Sequence, residues 1–259
     1  MKAILHPQAQ SIIESFLAKG GQSFEQLGTP KQLRQIYHEN CKLTAMQGLD
    51  HIATHEITTT YAGQPVHLRI YDRQLDKQTA RPCVIYMHGG GWVIGNLDTH
   101  DSICRKMADT ADVKVTASDY RLAPEFKYPI PQQDCEAAVA YMIKHAHDLG
   151  IDVHHLVLCG DSAGAHLAAW IGQNFYQRFA LPLKAQVLLY PTIGYFANSL
   201  SYDIYQTGFP LTAKTMHWFY SQLMPNINEC NVLSLLNQPF IRENGDLYVL
   251  TVEHDPLRD

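Results

Sequence analysis

The sequence predicts an α/β fold with a mostly parallel central sheet. Three observations carry that reading. Short, dense apolar runs recur along the chain, too dense to alternate as half-buried strands do. Helix-like segments separate them. The pentapeptide Gly160-Asp161-Ser162-Ala163-Gly164 joins one such run, Leu156 to Cys159, to a helix-like stretch beginning at Ala165. That is the strand, sharp turn and helix of a nucleophile elbow, which lifts a serine hydroxyl out of the top of a sheet.

The first 55 residues read as cap helices, broken at Gly20-Gly21 and at Gly28-Thr29-Pro30. Ala9, Ile12, Ile13, Phe16 and Leu17 recur with helical spacing, so this helix is expected to pack on the rest of the protein. The period changes to two after Glu56. Val66, Leu68 and Ile70 alternate with His67, Arg69 and Tyr71, and Ala62 to Pro65 is a turn, so Ile57 to Tyr61 and Val66 to Tyr71 form a hairpin. Five runs then read as central parallel strands buried on both faces. They are Cys83 to Met87, Val113 to Ala117, Leu156 to Cys159, Ala185 to Tyr190 and Leu247 to Val252. Asp101 to Thr110, Pro131 to Ala146 and Ala163 to Phe179 read as the helices between them. The expected division is 1–55 as cap and 56–259 as the α/β domain. An aromatic-rich insertion at about 193–230 reads as a lid, or as a helix that completes the core.

Composition excludes several classes. A net charge of −5 gives no field for nucleic acid. No apolar run is long enough to span a membrane. Pro7, Gln8, Gln10 and Glu14 break any signal-peptide core. The six cysteines form no C-x-x-C pair, so free buried thiols and a cytoplasmic setting are expected. His51-x-x-x-His55 has helical metal-ligand spacing but lacks the glutamate of H-E-x-x-H. His145-x-His147 and His154-His155 read as surface or cap residues, and no metal site is expected.

Two further features carry chemistry. His88-Gly89-Gly90-Gly91-Trp92 follows the run ending at Met87. Successive glycines expose backbone N–H groups that can hold an oxyanion, with the Ala163 N–H as a further donor. Asp255 follows the last apolar run. It suits the acid of a Ser, Asp, His order, and Asp-Pro there reads equally well as a cap or turn.

In order, His88 to Trp92, Asp119 to Glu125, Gly160 to Gly164 and Asp255 to Asp259 resemble the bacterial hormone-sensitive-lipase family of α/β-hydrolases. Gly95 to Asp101 and Leu211 to Phe219 are similar to its bacterial acetyl esterases. The resemblance covers residues 55–259 and the cap loosely. It implies a serine carboxylesterase that cleaves short-chain acyl esters through an acyl-enzyme, without metal or organic cofactor. Ser162 would be the nucleophile and Asp255 the triad acid. Gly90, Gly91 and Ala163 would be the oxyanion donors, with Gly89 and His88 supporting the loop and Asp161 supporting the site.

The resemblance also places a catalytic histidine some thirty residues after the acid, beyond Asp259. The expectation is therefore a hydrolase fold without its last strand and helix, truncated and impaired, with an unpaired sheet edge prone to homo-oligomerisation. His254 adjoins Asp255, His166 sits on the helix leading away from the elbow, and His100 and His217 lie on loop and lid. None is expected to replace the base. The alternative is a non-catalytic small-molecule binder, since the family is similar to plant gibberellin receptors, which lack a competent histidine.

Overall fold

The structure, a computed structural model, describes residues 5–73, 79–237 and 242–259. Two helices open the chain, α1 (Pro7–Ala18) and α2 (Pro30–Thr44), each with proline in its first turn. That position suits proline because its missing N–H would have no helical partner. Thr29 and Gln32 cap α2 reciprocally. The Gln32 N–H donates to Thr29 Oγ1, and the Thr29 N–H donates to Gln32 Oε1.

The expected packing of the first helix is not found. No residue of α1 is buried, and Ile12 is 66% exposed. The apolar contacts of the cap come instead from Phe24, Leu27, Leu33 and Tyr37, which join the main core and leave α1 at the periphery. Arg34 fastens α2 down. It donates to the carbonyls of Val93 (2.8 Å) and Ala123 (2.7 Å) and forks onto the Glu125 carboxylate.

Among the described residues the sheet has seven strands: β1 (Ala53–Tyr61), β2 (Gln64–Asp72), β3 (Arg81–Met87), β4 (Lys114–Asp119), β5 (Ile151–Asp161), β6 (Ala185–Leu189) and β7 (Asp246–Leu250). Their spatial order is β1-β2-β4-β3-β5-β6-β7. The first two form the expected hairpin, and β2 runs antiparallel to β4; every other pairing is parallel. Ala62 and Gly63 both have left-handed φ, the turn whose twist matches that of the strands it joins. Because β1 starts at Ala53, His55 lies on a strand, and the helical spacing read into His51 and His55 does not exist. His51 bonds to Asp109 instead.

Helices cover both faces. The face of α3 (Asp101–Ala111) holds a smaller core around Tyr71, Tyr86 and Cys104. The large core lies under α4 (Ile130–Lys144), α5 (Ala163–Gly172), α7 (Leu200–Ile204) and α8 (Ala213–Leu223). The helix expected from Ala163 to Phe179 is broken into α5 and α6 (Phe175–Phe179). Asn244 explains the break. Its amide donates to the Gln173 carbonyl and accepts from the Tyr176 N–H, replacing helical bonds at that corner.

The last strand also departs from expectation. All five residues of β7 are exposed, and among the described residues β6 is the one strand beside it. Its apolar composition is that of a central strand. The six cysteines are free thiols, and five are buried. Among the described residues no helix is long and apolar enough to cross a membrane.

Candidate active site

Parallel pairing of β3 with β5 sets Met87 beside Gly160, so the glycine loop and the elbow leave the sheet side by side. Ser162 sits between β5 and α5 with φ 52° and ψ −118°. A positive φ away from the left-handed helical well costs a non-glycine residue about 1–3 kcal/mol and persists only where its surroundings hold it. Here the Ser162 N–H donates to the Leu189 carbonyl (2.8 Å), and the Ser162 carbonyl accepts from the His166 N–H. The flanking glycines are required by crowding. A Cβ on Gly160 would lie 2.4 Å from the Gly164 carbonyl carbon, and one on Gly164 would lie 2.0 Å from the Met87 oxygen.

The glycine loop turns through left-handed φ at Gly90, Gly91 and Trp92. The N–H groups of Val93 and Ile94 both close onto the Gly90 carbonyl. Among the described residues, the N–H groups of Gly90, Gly91 and Ala163 take part in no loop or cap bond. The Phe219 ring of α8 lies directly against Gly91, where a Cβ would come 2.3 Å from it.

His88 is built into this loop from beneath. Its ring stacks on Tyr120 at 4.3 Å, and Nδ1–H donates to the Gly89 carbonyl. The Tyr120 hydroxyl donates to the His88 carbonyl. Burial, and then the neighbouring His100, pushes the His88 pKa down to about 3. It is a neutral support at neutral pH. Asp161 is largely buried yet has a lowered pKa. Burial alone would raise it, but His100, Tyr86 and the Gly89 N–H outweigh that cost.

Asp255 follows β7 at the same rim of the sheet. The Ser162 N–H reaches Leu189, and the next residue, Tyr190, donates to Leu250, so the ends of β5, β6 and β7 are tied in series. The phenol of Tyr190 registers both sides. Its pKa is pushed up to about 12, first by burial and then by the charges of Asp161 and Asp255. Asp255 Oδ1 accepts from the Leu257 N–H (2.8 Å). Burial raises its pKa, and that one bond opposes the shift.

His100, His166, His217 and His254 make other contacts. His100 Nε2 lies 3.5 Å from Asp161 Oδ1. His166 Nε2–H donates to the Leu233 carbonyl, and burial lowers its pKa to about 4. His217 Nδ1 bonds to the Tyr195 hydroxyl and His254 Nδ1 to that of Tyr205. None of these contacts is with Ser162 or the Asp255 carboxylate. Tyr86, Tyr190 and Arg34 escaped the sequence reading, because an aromatic inside or beside a strand and an arginine on a helix carry no motif.

A family model of alpha/beta hydrolase fold matches residues 84–259, well over half of the chain. The chain belongs to this α/β-hydrolase family, of the hormone-sensitive-lipase type. It is similar to an ethyl acetate hydrolase of Pseudomonas putida, at 34% identity over 205 residues. That match takes in 78% of this chain and 64% of the relative. It is also similar to the carboxylesterase NlhH of Mycobacterium tuberculosis, at 35% identity over 69% of this chain and 57% of the relative. The chain spans about half to two thirds of the length of the curated relatives it matches. Among solved structures, a hyperthermophilic esterase from Pyrobaculum calidifontis superposes with a TM-score of 0.87. It is 28% identical and covers 99% of this chain and 82% of its own. A thermostable esterase from Pseudomonas putida superposes with a TM-score of 0.87 at 26% identity, over 98% of this chain and 80% of its own.

Proposed function

We propose that this chain carries the site of a serine carboxylesterase acting on short acyl esters. The observation that carries the reading is Ser162, held in a strained turn beside the three N–H groups of Gly90, Gly91 and Ala163. Ser162 Oγ attacks the ester carbonyl, and the three N–H groups stabilise the oxyanion that forms. One such donor is worth roughly a hundred- to a thousandfold in rate. The serine proton must pass to a base and then to the departing alcohol, leaving an acyl-enzyme that water hydrolyses; the histidine contacts described above set no imidazole beside Ser162. Asp255, at the same rim of the sheet, would orient such a base when it is an imidazole. A half-buried carboxylate with a raised pKa gains most from an imidazolium beside it, which is the condition reached during attack.

The position of α8 supports the size preference. Phe219 presses on Gly91 and packs 6.0 Å from Phe24, which sets an aromatic wall against the loop. A small acyl group fits beneath such a wall more readily than a long chain. The test is hydrolysis of p-nitrophenyl acetate, butyrate and octanoate. Equal kcat/KM for octanoate and acetate would overturn the short-acyl reading. The binding-protein alternative draws on the histidine contacts given above. It is favoured if ligands bind stoichiometrically with no Ser162-dependent turnover.

A further inference from the structure

We propose that Tyr86 and His100 are positioning residues that fix the glycine loop through Asp161. Three groups converge on one oxygen of that carboxylate. The Tyr86 hydroxyl donates to Asp161 Oδ1 at 2.6 Å, and the Gly89 N–H donates to the same atom at 2.8 Å. His100 Nε2 stands 3.5 Å away. The carboxylate also fills the space where a Gly89 side chain would begin, since a Cβ there would lie 2.1 Å from Oδ2.

Chain connectivity gives the contact its leverage. Asp161 precedes Ser162, and Gly89 precedes Gly90, so one buried carboxylate ties the elbow to the loop. Burial opposes the charge on Asp161, and the donors keep it an anion. His100 is held in turn by Thr99 Oγ1 on Nδ1 (2.8 Å) and by the His88 ring at 5.3 Å. Removing a donor lets the carboxylate take up a proton or turn, and either change weakens the acceptor at Gly89. The consequence for ester turnover rests on the proposed function; the link itself does not.

The test is amide hydrogen exchange in Tyr86→Phe, which removes a single hydroxyl. A bond to a charged acceptor is worth enough to expect Gly89 to exchange about tenfold faster, with Ile85 in β3 nearly unchanged. His100→Gln should move Gly89 in the same direction and decides the matter should Tyr86→Phe fail to fold. Equal factors at Gly89 and Ile85, or no change at Gly89, would overturn the proposal. Where ester turnover is measured, kcat should fall about tenfold in Tyr86→Phe with KM little changed. A wild-type chain with no Ser162-dependent turnover would defeat the esterase reading and leave the exchange result standing.

Discussion

The Met87 carbonyl oxygen occupies the place where a side chain at Gly164 would begin, 2.0 Å from the position of its Cβ. That approach lets α5 start directly above the end of β3 and sets Ala163 beside the glycine loop. Gly164→Ala must push backbone against backbone, and no rotamer change relieves it. The expected cost is roughly 3 kcal/mol, read as a lowered urea midpoint with an unchanged slope. A stability within 0.5 kcal/mol of the parent, in line with an ordinary surface change, would show that the elbow is looser than described.

Arg34 makes the second prediction. Its guanidinium joins α2 to the backbone of the segments after the glycine loop and before Glu125. Glu125 is half exposed, so the ion pair adds little, and the two carbonyl bonds carry most of the effect. Arg34→Ala should cost about 1–3 kcal/mol and expose the first 50 residues to protease. Arg34→Lys should fail to rescue it, because an ammonium cannot reproduce the fork. Full rescue by lysine would point to charge alone.

Acid should destabilise the fold early. His88 and His166 have folded pKa values of about 3 and about 4, against an ordinary 6.5. Both are depressed, so the unfolded chain binds more protons between those limits. Their contribution is complete above pH 6.5 and is lost as the pH falls toward 4. Two such groups give up to about 2.7 kcal/mol per pH unit over that range. Urea unfolding at pH 7, 6 and 5 measures it. A flat profile would mean that both rings are solvated or charged in the fold.

The β7 edge makes the fourth prediction. Leu247, Tyr248, Val249 and Leu250 are each about half exposed, and the strand carries neither lysine nor proline to block pairing. The 259-residue chain should self-associate with concentration in sedimentation velocity, and Val249→Lys should suppress that association without unfolding the chain. A monomer at all concentrations would show that the edge is protected in solution.

These cases show how much was legible in the sequence. Strand, elbow and glycine loop follow from local patterns, because G-x-S-x-G and the triple glycine each require a particular turn beside a strand. The break at Gln173 was not legible, since its cause, Asn244, lies 71 residues away. The exposure of β7 was hidden for a related reason. A Leu/Val run has the same composition at an edge as at the centre, and only the strand order tells them apart. The Asp161 anchor was half visible. The carboxylate lies inside the motif, but its partner Tyr86 looks like any aromatic in a buried strand.

The most direct test of the esterase account is hydrolysis of p-nitrophenyl acetate by this chain and by Ser162→Ala, each with and without added imidazole. Imidazole is included because none of the histidine contacts described reaches Ser162, and loss of a triad histidine lowers turnover by about a millionfold in a well-studied serine protease. The account predicts turnover that depends on Ser162 and rises with imidazole beyond the increase seen in Ser162→Ala. Equal rates for the two proteins under both conditions would contradict it.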